Sequence, residues 1–155
     1  LDYRIAEAIT LTGQYIIKTT QKSLNNYLNQ ILQTKNVDYV IAIDTDSCYI
    51  TLNPLVQKFF PNKSKEEIVD LIDKICKEKI TPAINAGCRE IVEYTNAFES
   101  RLEFKREVIS DAALWTAKKR YAMNMYDKEG VRYKEPKLKI MGLEVVPVSY
   151  THLTL

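Results

Sequence analysis

The 155-residue sequence has one histidine, His152, and only three cysteines, Cys48, Cys76 and Cys88. A Ser-His-Asp triad needs an internal histidine, and a zinc site needs histidines or regularly spaced cysteines, so the sequence argues against both. An odd number of cysteines without metal-ligand spacing is typical of buried thiols in a reduced, intracellular protein.

Long apolar runs are also lacking. No stretch approaches the ~20 residues that a membrane-spanning helix needs, and the N-terminus does not resemble a secretory signal. The apolar fraction of 46% and the charged fraction of 27% are ordinary for a soluble globular domain. The chain begins with Leu1 and opens directly in a helical pattern, so we expect it to be a piece of a longer protein.

The charge is unevenly distributed along the chain. Residues 1–100 carry 11 basic and 13 acidic side chains, whereas residues 101–139 carry 11 basic and six acidic ones, a net charge of +5. Such a concentrated basic region fits a polyanionic partner better than a generic solvated surface.

The first two thirds of the sequence predict mainly helices. Apolar residues recur at helical spacing over residues 2–33, and a short helix is expected from Pro54 to Phe60. Ser64 and Glu67 have the spacing of a capping box, which begins a second long helix that Pro82 should interrupt before Tyr94.

The remaining segments alternate with the period of two that is typical of strands. A hairpin is predicted around Asp44, and further strands are predicted over 102–109, 118–126, 131–133 and 137–141, with a turn at 127–130. The expected fold class is therefore α+β, an antiparallel sheet with long helices packed on one face.

Asp44-Thr45-Asp46-Ser47 is the most informative segment, because it lies between two apolar runs that predict strands. If strand alternation continues through it, Asp44 and Asp46 point the same way, and two adjacent carboxylates favour a divalent cation. The alternative is a polar turn in which Asp and Ser satisfy the backbone.

Other charged residues are candidate members of the site at Asp44 and Asp46. Glu107, in the predicted strand 102–109, is a candidate third carboxylate, or else an exposed acid paired with a neighbouring base. The basic run Lys118-Lys119-Arg120 precedes Tyr121; alternation would place Lys119 and Tyr121 on one face, and Lys118 and Arg120 on the other. Such a run suits phosphate contacts, but it also occurs on solvated strand edges. The remaining aromatic residues, Trp115 included, are given no role.

These motifs together resemble the family B DNA polymerases, and most closely the T-even-type bacteriophage branch. Asp44–Ser47 resembles motif C, and Lys118-Lys119-Arg120-Tyr121-Ala122 resembles the K-K-R-Y motif. Lys137-Leu138-Lys139-Ile140-Met141-Gly142-Leu143-Glu144 resembles the passage from palm to thumb, and the first ten residues resemble the helix after motif B. The order and spacing agree over residues 1–146, whereas 147–155 does not match the family and indicates a foreign tail.

The resemblance implies template-directed transfer of deoxynucleotides from dNTPs to a primer 3′ end by a two-metal mechanism. It assigns metal binding and catalysis to Asp46, with Asp44 as the auxiliary carboxylate, two Mg²⁺ ions and a further aspartate outside this chain. Primer–template DNA would be held by a basic set with one tyrosine: Lys118, Lys119, Arg120, Tyr121, Lys137 and Lys139.

The resemblance further implies a viral enzyme in the cytoplasm of an infected bacterium, with a sliding clamp held by other regions. Ile43 stands where the family usually has glycine, and motifs A and B are absent from the sequence. The chain alone should therefore be inactive. Two alternatives remain, a non-catalytic nucleic-acid-binding module and a palm from another polymerase family, although the K-K-R-Y motif after the Asp44 hairpin argues against the latter.

Overall fold

The computed structural model describes residues 2–143, so the predicted tail at 147–155 lies outside it. Four helices and five strands follow one another in that part of the chain, with a π-helical turn between the third and fourth helices. They are α1 (Tyr3–Leu32), β1 (Val40–Asp44), β2 (Ser47–Ile50), α2 (Asn53–Phe59), α3 (Lys65–Ile75), the π turn (Cys76–Ile80), α4 (Thr81–Thr95), β3 (Val108–Ala117), β4 (Arg120–Lys128) and β5 (Val131–Met141). Among residues 2–143, no helix combines the length and apolarity needed to cross a bilayer.

Helix α1 confirms the predicted helix and has defined ends. The carboxylate of Asp2 accepts the amide of Arg4 at 3.0 Å, and Gln33 ends the helix in the left-handed conformation at φ 58°. Only its C-terminal half is buried, through Ile17, Thr20, Leu24, Leu28 and Leu32, whereas Ile5 and Ile9 stay exposed.

The second helical region divides as the sequence predicts. Ser64 and Glu67 form the capping box that begins α3, each side chain hydrogen-bonding to the other residue's amide. Near the predicted break, the backbone widens into the π turn, whose last bond joins the Thr81 amide to the Cys76 carbonyl. Pro82 follows in the first turn of α4, and because the π turn before it is itself helical, the missing N–H removes one backbone donor to that turn.

The helices and the first hairpin share one apolar core. Leu24, Ile80, Ile84 and Cys88 bring α1, the π turn and α4 together, and Val40 adds β1 to the same cluster. A neighbouring cluster joins the end of α1 to α2 through Leu28, Leu32, Tyr39 and Leu55. The β1–β2 hairpin is thus fixed to the helical layer by its own apolar residues.

The fold class is α+β, as predicted, but the five strands form two antiparallel sheets in place of one. β1 pairs with β2, and β3, β4 and β5 form a three-stranded sheet with β4 in the middle. One face of β4 is buried through Tyr121, Met123 and Met125, and Tyr49 of the hairpin packs against this face.

The predicted strand over 102–109 is wrong over most of its length, because residues 101–107 belong to no strand and β3 begins only at Val108. The alternation has another cause: Leu102 and Phe104 pack against the helical core while the residues between them face solvent. Alternating polarity shows that one side of a segment is buried. It does not require that the segment hydrogen-bonds to a neighbouring strand.

The β4–β5 hairpin is longer than predicted. Its turn is the two-residue segment Glu129–Gly130, with φ of 51° and 88°, and Asp127 belongs to β4. The short strand predicted over 137–141 is the second half of β5, continuous with 131–133.

Candidate nucleic-acid interface

The aspartate-bearing hairpin has a tighter turn than strand alternation suggests. Asp44 and Ser47 form the last pair of the β1–β2 ladder, so Thr45 and Asp46 are the two turn residues. The alternation argument therefore fails for Asp46, which lies outside both strands. Thr45 has φ 42°, a conformation that is uncommon for a β-branched residue and stores about 1–3 kcal/mol of strain.

Both carboxylates at this turn keep acceptor positions for a ligand. The Thr45 hydroxyl donates to Asp44 at 3.2 Å, and the Ser47 hydroxyl donates to Asp46 at 3.4 Å. Asp44 is half-buried and Asp46 is exposed. Since an ionised carboxylate accepts about four hydrogen bonds, these contacts leave most of each group available.

The basic motif also forms a two-residue turn. Ala117 pairs with Arg120, which leaves Lys118 and Lys119 as the turn between β3 and β4, and Lys119 has φ 62°. The predicted division of these four residues between two strand faces is thus wrong for the lysines. Arg120 and Tyr121 do follow the alternation, with Arg120 exposed and Tyr121 buried.

The two turns meet at one cleft, although more than 70 residues separate them in sequence. The cleft measures about 280 Å³. The first hairpin contributes Ala42, Ile43, Asp44 and Tyr49, and the second contributes Trp115, Ala117, Lys118, Lys119 and Tyr121. The structure therefore brings Asp44 of the carboxylate motif and both lysines of the basic motif to one cleft, whereas Asp46 is not among the residues that line it.

Tyr49 joins the two hairpins and was missed by the sequence analysis. Its ring centroid lies 5.2 Å from that of Trp115 and 5.8 Å from that of Tyr121. Burial raises the pKa of Tyr49, and Tyr121 and the negative charges of Glu107 and Asp44 raise it further. A signal was present, because Tyr49 lies two residues after Ser47 in β2 and so shares its face.

Glu107 lies directly before β3, close enough to Tyr49 for its charge to raise the pKa of that tyrosine. Its carbonyl accepts the Glu129 amide at 2.6 Å, and its half-exposed carboxylate lies 3.8 Å from the Lys139 ammonium. Within residues 2–143, no group of three or more His, Cys, Asp or Glu side chains has the arrangement of a metal site. Asp44, Asp46 and Glu107 thus do not form a complete metal centre in the described part of the chain.

The two lysines of β5 occupy different positions relative to the cleft. Lys139 pairs with Met123 and lies 5.8 Å over the ring of Tyr121, next to the cleft. Lys137 pairs with Met125 and lies 4.5 Å over the ring of Tyr133, farther along the same face. The basic face therefore continues from the Lys118–Lys119 turn along β5.

No protein-family model matches this sequence. The chain is 40% identical over 153 residues to the DNA-directed DNA polymerase of Escherichia phage RB69, and 39% identical over 153 residues to that of Enterobacteria phage T4. Each match covers 92% of this chain and 17% of the relative, so the chain spans about one sixth of the length of these proteins.

Proposed function

Since this chain is related to a segment of the T-even-type phage DNA polymerases, we propose that it forms part of an enzyme that transfers deoxynucleotides from dNTPs to a primer 3′ end under template direction. The observation that carries the proposal is the cleft between the two turns, which Asp44 of one turn lines together with Lys118 and Lys119 of the other. Nucleotidyl transfer needs both, carboxylates for metal ions and cations for phosphates.

Asp46 and Asp44 are the proposed metal ligands. Their exposed and half-exposed oxygens are the hard donors that Mg²⁺ prefers, and their hydroxyl contacts leave room for coordination. Two carboxylates do not complete a site, so we assign further ligands to an aspartate outside this chain and, secondarily, to Glu107. When bound, two Mg²⁺ ions would activate the primer 3′-oxygen and stabilise the leaving oxygen.

The basic side holds primer–template DNA in this proposal. Lys118 and Lys119 protrude from a turn, where both ammonium groups reach phosphates without competing for one strand face. Lys139 and Lys137 extend this contact along β5, whereas Arg120, the first residue of β4, adds a positive charge on the face opposite to Tyr121. Tyr121 is buried against Tyr49, which fixes its ring at the edge of the cleft. A sliding clamp would bind other regions of the enzyme, which acts in the cytoplasm of the infected bacterium.

The DNA-binding part is tested by the salt dependence of primer–template affinity, measured by fluorescence anisotropy on the chain itself. Each phosphate contact contributes about −0.9 to the slope of log K against log salt concentration. The Lys118→Ala/Lys119→Ala variant should therefore make the slope less negative by about 2. The matched control replaces Lys18 and Lys22 with alanine. These two exposed lysines of α1 are also close together in the sequence. An equal change in both variants would contradict the assignment.

The catalytic part is tested by primer extension. The chain alone should give no synthesis, because the remaining ligands lie outside it, whereas the full-length polymerase that carries it should extend primers. If the chain instead belonged to a non-catalytic nucleic-acid-binding protein, DNA binding would be the same. Neither the isolated chain nor the full-length protein would then extend a primer. Robust synthesis by the isolated chain would show that no other region is required.

A further inference from the structure

Arg106 is buried between the helical layer and the three-stranded sheet. Its guanidinium contacts Asp73 of α3 at 2.6 Å and forms a second, shorter ion pair with Asp127 at the end of β4. The side chain is 11% exposed and that of Asp127 is 1% exposed. One arginine thus bridges two carboxylates from elements that are far apart in sequence.

Both carboxylates are held by additional contacts. Asp127 also accepts the Gly130 amide at 3.0 Å and the Arg132 guanidinium at 3.2 Å. Asp73 also accepts the Lys77 ammonium at 2.7 Å. Because each anchor of Arg106 is itself fixed, the planar guanidinium has one position in which both of its pairs form.

The neighbouring residue, Glu107, has its contacts with other residues than Arg106 has. Residues 101–107 belong to no strand or helix, so no ladder fixes this segment. Two contacts hold it instead. The carbonyl of Glu107 accepts the Glu129 amide at 2.6 Å, and the side chain of Arg106 pairs with Asp73. The carboxylate then lies beside Lys139, and its negative charge contributes to the raised pKa of Tyr49.

We infer that Arg106 is a positioning residue, which fixes the carboxylate of Glu107 at the edge of the cleft by bridging Asp73 and Asp127. The inference rests on the proposed polymerase function and adds to it a residue that contacts neither substrate nor metal. Lysine at this position keeps the charge but cannot pair with two carboxylates in the same planar geometry.

The experiment is a double-mutant cycle between Arg106→Lys and Glu107→Gln, made in the full-length polymerase and read as kcat of primer extension at saturating dNTP. A displacement of about 1 Å at a reacting centre costs up to about a hundredfold in rate, so Arg106→Lys should lower kcat by about tenfold or more. If Arg106 acts through Glu107, the same change should cost less than about twofold once residue 107 is glutamine.

Equal losses of kcat in the two backgrounds would overturn the inference, because a purely structural arginine acts regardless of residue 107. A Glu107→Gln enzyme with unchanged kcat would also overturn it, while leaving the proposed function intact as long as the unmodified enzyme extends primers. Loss of extension in the unmodified enzyme would instead refute the proposed function.

Two further variants keep the test interpretable. Lys65→Met removes the exposed bridge from α3 to Asp111 of β3, at 2.7 Å, which joins the same layers without contacting Arg106 or Glu107. Its kcat should stay within about twofold in both backgrounds. Asp73→Asn leaves Arg106 paired with Asp127 alone, and should reproduce the non-additivity with Glu107→Gln if Arg106→Lys fails to fold.

Discussion

A Cβ atom at Gly142 would lie 2.4 Å from the carbonyl oxygen of Lys119, so the end of β5 packs against the backbone of the Lys118–Lys119 turn. Gly142 also has φ 61°, which a residue with a side chain adopts only with strain. Because the contact is with backbone, no rotamer change relieves the clash. The position of the basic turn therefore depends on the absence of a side chain at residue 142.

Replacing Gly142 with alanine should displace the Lys118–Lys119 turn and weaken primer–template binding by the chain. The matched control is Gly130→Ala, since Gly130 has φ 88° but no atom within 4 Å of an added Cβ. Both variants should lose about 1–2 kcal/mol of stability from the strained backbone, and the clash adds to this loss for Gly142→Ala. Only Gly142→Ala should raise the Kd for DNA, and an equal Kd for the two variants would contradict the proposed contact.

Removing the carboxylate of Asp46 should abolish primer extension by the full-length polymerase and leave its primer–template affinity largely unchanged. Asp46 is exposed at the turn, and its hydrogen bond from Ser47 is long at 3.4 Å, so Asp46→Ala should cost little stability. Extension rates and anisotropy titrations separate the two effects.

Asp38→Ala serves as the control for loss of one acidic group. Asp38 precedes the same hairpin, and its carboxylate accepts a hydrogen bond from the side-chain amide of Asn25 at 2.8 Å, so its loss should reduce stability without abolishing extension. Activity surviving in Asp46→Ala would refute the metal-ligand assignment.

Local sequence patterns predicted the elements whose determinants are local. The ends of α1, the Ser64 capping box and the Asp44 hairpin each depend on residues within a few positions of one another. The failures involve partners that lie far away in sequence. Leu102 and Phe104 alternate because they contact the helical core, and nothing nearby indicates that no strand lies beside them. The alternation of β4 continues into Lys118 and Lys119, so the pattern predicts a strand where the structure has a turn.

The site was predictable only in part for the same reason. Each of the two motifs could be found by its own residues, but their meeting at one cleft depends on Tyr49 packing against Trp115 and Tyr121. The sequence assigns no role to Arg106 beyond its charge, because its partner Asp73 lies 33 residues earlier. Contacts over such separations depend on the tertiary arrangement, which periodicity within a window does not encode.

Truncating Leu28 to alanine should destabilise the chain by about 2–5 kcal/mol. The side chain is fully buried where α1 meets α2, so its removal leaves a cavity in the apolar core. Urea unfolding of the chain measures the loss. Ile9→Ala, at a 69% exposed position of the same helix, should change the unfolding free energy by less than about 1 kcal/mol. Similar losses for the two variants would indicate that the buried half of α1 is assigned incorrectly.

Asp127→Asn should destabilise the chain most at neutral pH. Burial alone would raise the pKa of Asp127, but hydrogen bonds from Arg106, the Gly130 amide and Arg132 outweigh it and lower the pKa below its usual 3.8. Above about pH 5 the carboxylate is ionised in both the folded and the unfolded chain, so its stabilisation is fully present. As the pH falls further, the unfolded chain takes up the proton first, and the stabilisation is lost until the pH passes the folded pKa.

The unfolding free energies of the original chain and Asp127→Asn should therefore differ by about 3 kcal/mol at pH 6, and the difference should shrink below pH 4. Urea titrations between pH 6 and pH 2.5 measure it. The other acidic groups are common to both proteins, so their titration cancels in the difference. A difference that stays constant across this range would mean that Asp127 is not ionised between its two arginines, and the bridge through Arg106 would lose its charged anchor in β4.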